Sequence, residues 1–146
     1  ALQLPFSCRT VDCSSLPSDP CCNFSLPRQG VCPNGWHVPS DSEWGVLLAQ
    51  LGGASVAGSA LRETGTSHWD APNTAATNSS NFTALGSGFR YVDGSSGDLK
   101  ANIYFWSSTP FSTGLWYRNV ISNNAAVDRG IGNKSYGFSV RCLADN

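Results

Sequence analysis

Hydrophobic positions along this chain follow two different rhythms, and the change falls near residue 64. Ser40-Asp41-Ser42-Glu43 has the form of a capping box, in which the Ser40 side chain accepts from the amide at Glu43 and the Glu43 carboxylate reaches back. Trp44, Leu47, Leu48 and Leu51 follow at i, i+3, i+4 and i+7, one apolar helical face, and Gly52-Gly53 supply a left-handed stop. A second, shorter helix is predicted over Val56 to Glu63, with Leu61 pointing inward. From Thr64 onward the helical period is gone. Phe82 to Tyr91, Ile103 to Ser108, Leu115 to Ile121 and Tyr136 to Leu143 carry aromatic or β-branched residues between Gly, Asn, Ser and Pro clusters, the pattern of strands. The connection from Gly65 to Asn81 is long enough to be either functional or firmly pinned. Two helices followed by short strands and long loops predict an α+β domain, the helices packed on one side of small antiparallel sheets.

Residues 1–31 break this pattern. Pro17, Pro20, Pro27 and the pair Cys21-Cys22 argue against regular structure, so a Cys-rich irregular segment is expected there, with the main domain over residues 32–146. A chain of 146 residues fits one domain with one hydrophobic core. Trp36, Trp44, Phe82, Phe105, Trp106 and Phe138 are the core aromatics to expect, since each lies in a segment predicted to face inward.

Charge narrows the classes of partner. Nine Lys and Arg against ten acidic residues leave a net charge of -1 and no electrostatic reason for a nucleic-acid or anionic-membrane partner. Charged residues are only 13% of the chain and Met is absent, while Gly, Ser, Asn and Thr abound, which fits a loop-rich β protein better than a helical bundle. No apolar run approaches the roughly 20 residues of a membrane span, so no membrane insertion is expected. The start Ala1-Leu2-Gln3-Leu4-Pro5-Phe6 lacks the basic opening and long apolar centre of a signal peptide, and reads as mature or trimmed.

Six cysteines, Cys8, Cys13, Cys21, Cys22, Cys32 and Cys142, are an even number in a small chain, and four of them crowd a stretch too polar to make a core. Disulfides are favoured over zinc, because the paired Cys-x-x-Cys spacing is missing and neither His37 nor His68 is near the cluster. Six cysteines allow about 15 pairings. Cys32 and Cys142, at the two ends of the main domain, are natural partners, and the compartment is then an oxidising one. Each of the two histidines sits beside a Trp, where a packed, hydrogen-bonded role outweighs a catalytic or metal-ligating one. No Gly-x-Ser-x-Gly elbow places a nucleophile, Cys32 and Cys142 look structural, and no enzymatic activity is expected. Calcium is the one cofactor to consider, through Asp93 and Asp98 with Gly94 and Gly97 between them, but the spacing fits no EF-hand and a solvated turn explains it better. No cofactor or metal is therefore assigned.

The ordered run Cys32-Pro-Asn-Gly-Trp-His-Val-Pro-Ser-Asp-Ser-Glu-Trp44, then Leu51-Gly-Gly, Leu61-Arg-Glu-Thr-Gly65, His68-Trp69, Ala76-Thr77-Asn78, Phe82-Thr-Ala-Leu85, Gly88-Phe-Arg90, Phe105-Trp-Ser-Ser-Thr109, Trp116-Tyr-Arg118 and Gly137-Phe-Ser-Val-Arg-Cys142 resembles the Fibrobacter succinogenes major paralogous domain. The resemblance covers about residues 32 to 145 and implies a C-type-lectin-like fold in the variant shared with formylglycine-generating enzymes. Such domains are common in surface proteins of Bacteroidetes and in phages of those bacteria. Some are variable proteins of diversity-generating retroelements, rewritten at adenine positions just upstream of the last Gly-Phe-Ser-Val-Arg strand. The matching stretch here is 117–136, where only Lys134 lies outside the residue types that mutated Asn codons reach. The resemblance thus implies a ligand-binding surface of Tyr117, Asn119, Ile121, Ser122, Asn124, Ala126, Asp128, Gly130, Ile131, Asn133 and Tyr136. Its aromatic and small polar side chains have the character of an antibody paratope. An ordinary polar loop between two strands is the plainer reading of the same residues. The expected function is a secreted, cell-surface or virion recognition module for a protein or glycan, as part of a pilus, fibre or surface protein; the alternative is a spacer in such an assembly with no ligand of its own. A triplet of the Glu-Pro-Asn kind is missing, so calcium-dependent sugar binding is not implied.

Overall fold

The computed structural model describes residues 27–145. Most of the expected irregular segment, with Cys8, Cys13, Cys21 and Cys22, lies outside the described residues. The elements are β1 (Trp36–His37), α1 (Asp41–Gln50), α2 (Ala57–Leu61), β2 (Ser87–Arg90), β3 (Ser96–Leu99), β4 (Asn102–Phe111), β5 (Gly114–Ile121), β6 (Val127–Gly132) and β7 (Leu143–Ala144). They form an α+β domain. One sheet has five strands in the order β3-β2-β4-β5-β6, and a second joins β1 to β7. Every pairing is antiparallel except β2 with β4, which meet in parallel at Gly88 and Ile103 alone.

Both helices form where the apolar pattern places them. The Ser40 Oγ accepts from the Glu43 amide and Glu43 Oε2 accepts from the Ser40 amide at 2.7 Å, which closes the capping box. Gly52 and Gly53, at φ of 91° and 101°, turn the chain out of α1. Trp44 and Leu48 are buried, with Leu47 and Leu51 beside them, against Leu61, Ile103, Phe105, Val120 and Val127. Helix α2 approaches the β5–β6 turn so closely that a Cβ on Gly58 would stand 2.7 Å from the carbonyl oxygens of Ala125 and Ala126. Only glycine fits there, and its amide donates to Ala125 O.

The long connection after α2 is pinned. Trp69 is fully buried and donates its indole N–H to Ala84 O, while Thr77 and Ser80 donate to the α2 carbonyls of Ser59 and Ala60. Arg62, 0% exposed, holds Asn73 Oδ1 through Nε, Ile121 O and Asn124 O through one terminal nitrogen, and Thr74 O through the other. One guanidinium thereby ties the loop to the β5–β6 turn.

Several strand expectations need correction. Of Phe82 to Tyr91 only the last part, β2, is a strand, and β3 and β6 were not foreseen. Tyr136 to Leu143 is not a continuous strand. Because β2 and β4 diverge after their single bridge, residues 137–139 insert between them and change partner from one side to the other. Gly137 exchanges both backbone hydrogen bonds with Arg90, whereas Ser139 donates to Tyr104 O and accepts from Trp106 N. Trp36 is not core: it is 43% exposed on the short β1–β7 ladder. Phe82, Trp106 and Phe138 are only half-buried. Cys32 and Cys142 form a disulfide with Cα atoms 5.8 Å apart, the pairing expected of the domain ends.

Candidate functional site

Alternation along paired strands decides what β4, β5 and β6 present on each side. Ile103 faces Val120 and Val120 faces Val127, all buried in the core. The intervening register sets Tyr104 beside Asn119 beside Asp128, and Trp106 beside Tyr117 beside Gly130, on the opposite side. Rings from two further segments join this outer face. Phe138 stacks on Tyr104 with centroids 5.0 Å apart and approaches Trp106 at 4.3 Å and Tyr117 at 5.2 Å. Phe89 lies 5.2 Å from Tyr104 and 4.4 Å from Tyr91, and Tyr136 bridges Phe89, Tyr91 and Phe138 at about 6 Å.

Seven aromatic rings thus cover one side of the sheet, and none of them is fully buried. Glycines in β6 make room for them. A Cβ on Gly130 would lie 2.5 Å from the Tyr117 ring, and one on Gly132 would lie 2.7 Å from Trp106. At one end of the face Asp98 accepts from the Tyr104 hydroxyl at 2.6 Å and from Asn102. Burial first, and then the Asp98 carboxylate, pushes the Tyr104 hydroxyl well above its ordinary pKa.

The expected site residues are divided by this geometry. Tyr117, Asn119, Ile121, Asp128 and Gly130 fall at outward register positions, and Tyr136 joins through its rings. Gly130 lies beneath Tyr117 rather than open to solvent. Ser122, Asn124 and Ala126 are in the β5–β6 turn: Ser122 is buried, and Asn124 accepts from Arg62 at its carbonyl and from the Ala126 amide at its Oδ1. Ile131 is exposed on the other side of the sheet, across from Trp116, and Asn133 caps the Ser135 amide in the turn after β6. Sequence reasoning missed Phe89, Tyr91, Tyr104, Trp106 and Phe138 as members of the face. Their signal is a ring at every second position, Tyr104 and Trp106 in β4 with Phe89 and Tyr91 at β2, but only the partner strands reveal it.

The reverse side of the hairpin anchors it. Asp41, in the first turn of α1, accepts from Arg118 at 2.7 Å and in bidentate fashion from Arg129 at 3.0 and 2.7 Å, and the Arg129 guanidinium lies 3.4 Å from the Trp116 ring centroid. Burial lowers the pKa of Arg118, the Asp41 charge opposing it.

His37, 4% exposed, sets Nδ1 2.6 Å from Asp145 and Nε2 3.0 Å from Glu43, so both ring nitrogens are engaged. His68 meets Glu63 at 2.8 Å on the surface. Asp93 is occupied by Ser95, and Asp98 by Asn102 and Tyr104. Among the described residues, no three His, Cys, Asp or Glu side chains come together as a metal site would need. Burial works to raise the Glu43 pKa, but hydrogen bonds from the Ser40 amide and hydroxyl, and from His37, outweigh it and hold the carboxyl below its ordinary value of 4.5. For a depressed carboxylate the added stability is complete above the unfolded-state value and is lost as pH falls through the folded-state value. Wild type and Glu43→Gln should therefore differ in thermal midpoint at neutral pH, the variant melting lower, and the difference should shrink as pH falls below 4.5 and through the folded-state value, in a pH series followed by circular dichroism.

The family described as Fibrobacter succinogenes major domain matches residues 17–144. No curated protein and no solved structure matches the chain.

Proposed function

The chain belongs to the Fibrobacter succinogenes major domain family, and from that premise we propose that it is an extracellular ligand-recognition module whose binding surface is the outer face of β5 and β6 within residues 117–136. One observation carries this: seven partly exposed rings share a rigid sheet face with Asn119 and Asp128, whereas a side with no partner to meet is ordinarily polar. Aromatic anchors flanked by small polar groups are the composition of hot spots and paratopes. The ligand is a surface protein or glycan, and the module works on a cell surface, in a pilus or fibre, or on a phage particle. Its frame is taken as a C-type-lectin-like fold.

Retroelement diversification of 117–136 is part of this proposal, and the pleat limits it. Tyr117, Asn119, Ile121 and Asp128 can change without touching the core, whereas Arg118, Val120 and Val127 are buried. Sequences of this gene from sibling strains should vary at the first set and stay fixed at the second; variation spread evenly over both sets would remove the diversification reading.

A spacer with no ligand of its own is the competing function, and the packing of the rings on one another favours it. Binding decides between them. Wild type is applied to an array of bacterial and host surface glycans and proteins, and Tyr117→Ala is tested on whatever binds. A recognition module loses at least about tenfold in affinity with its circular dichroism unchanged. A spacer binds nothing, and its substitution alters stability alone.

A further inference from the structure

Where β2 and β4 part and residues 137–139 enter between them, a pocket of about 250 Å³ opens beside the aromatic face. Ser87, Ser96, Ser139, Arg90, Phe89 and Phe138 line it together with two glycines. It is smaller than the roughly 300–1,000 Å³ of sites that enclose a drug-sized molecule, so it suits a single ring or group. Its chemistry is one-sided. Three serines and one arginine line it, and among the described residues no Asp or Glu does. The Arg90 guanidinium lies over the β2–β3 turn near Gly94 and has no ion-pair partner among the described residues. By contrast, Arg118 and Arg129 share Asp41, and Arg62 is consumed by buried acceptors.

Ser87 Oγ and Ser139 Oγ sit 2.9 Å apart, and hydroxyls of this kind both donate and accept, as sugar hydroxyls do. Phe89 and Phe138 belong to pocket and face alike, so a chain seated in the pocket continues onto Tyr136. Farther along that face stand Asp98 and Asp128, which disfavour a second negative charge.

We infer that this pocket takes the carboxylate of a uronate residue that ends an otherwise neutral oligosaccharide, with Arg90 as its charge partner, an inference that rests on the recognition role proposed above. The guanidinium matches the planar carboxylate, the serine hydroxyls meet the ring hydroxyls, and the phenyl rings receive its C–H surface.

The test is calorimetric titration of wild type and Arg90→Gln with three oligosaccharides that differ only in the terminal residue: glucuronate, glucose or glucose 6-sulfate. Arg90 is exposed, and its fixed hydrogen bonds are those of its backbone, so the variant folds. Wild type should bind the glucuronate form at least about tenfold more tightly than the glucose form, and Arg90→Gln should abolish that preference. Equal binding of the two, preference for the sulfate, or a glucuronate preference that survives in Arg90→Gln each overturns the inference. Should none of the three bind while array ligands still depend on Tyr117, the pocket inference falls alone; should nothing bind in either experiment, the recognition role falls with it.

Discussion

Replacing Cys32 and Cys142 by serine together is expected to lower the free energy of unfolding by about 4–5 kcal/mol. The bond closes a loop of 110 residues, and in the chain-entropy account a cross-link of that span removes more freedom from the unfolded chain than a short one does. Little else can take its place. The adjoining β1–β7 ladder has two residue pairs, Trp36 with Ala144 and His37 with Leu143, and the contact of His37 with Asp145 depends on the same chain end staying put. The serine variant is preferable to a reductant, because it leaves the other four cysteines untouched. Urea unfolding should give the loss directly, and the thermal midpoint should fall by roughly 10–20 °C. A change below about 1 kcal/mol would mean that the ladder and the His37 contacts hold the ends without help from the bond.

Arg62→Met is expected to cost about 3–5 kcal/mol, although the substitution keeps an unbranched apolar stem. The guanidinium is fully enclosed, and among the described residues no carboxylate pairs with it; it donates to four oxygens, Asn73 Oδ1 and the carbonyls of Thr74, Ile121 and Asn124. Methionine strands these acceptors away from water, and each buried orphan costs about 1–3 kcal/mol. Two of the carbonyls border the β5–β6 turn, so the loss should have a place as well as a size. Hydrogen exchange should quicken first at the Gly58, Asn124 and Val127 amides, while the centre of β4 stays protected. Uniform acceleration everywhere would show Arg62 to be a general core residue and not a clamp on the hairpin.

Local signals were readable in the chain and long-range ones were not. The capping box and the Trp44, Leu47, Leu48, Leu51 stripe form α1 through contacts within a few residues, so their spacing is enough. Strand β6 carries Asp128, Arg129, Gly130 and Gly132, a composition that opposes a strand on propensity alone. It becomes one because β5 supplies the hydrogen bonds and because the rings of Tyr117 and Trp106 need a backbone free of Cβ atoms beneath them. Tyr136 to Leu143 has strand-like alternation, yet its partners switch between β2 and β4, which no local pattern records. The face itself stayed hidden for a similar reason. In Tyr104-Phe105-Trp106 three consecutive rings all read as apolar, and only the register with β5 sends Phe105 inward and the other two outward. Trp36 lies in a segment whose pattern predicts an inward face, but its position on a two-residue ladder leaves it at the surface.

The insertion of residues 137–139 between β2 and β4 also sets an order of events in time. The bridge between those strands is a single pair, so the middle of the sheet has a gap that only the late segment fills. A nascent chain can form α1, α2 and the β4–β5 hairpin from local contacts as it emerges. Arg90 and Tyr104, however, wait for Gly137 and Ser139 to arrive from 47 and 35 positions downstream, as their numbering gives. Closure therefore comes after synthesis has passed residue 139, and until then the rings of Phe89, Tyr104 and Trp106 stay uncovered and able to associate with other chains. Ribosome-bound chains whose emerged part ends before residue 137 should remain open to protease and to chaperones, and those in which residue 139 has emerged should close in one step.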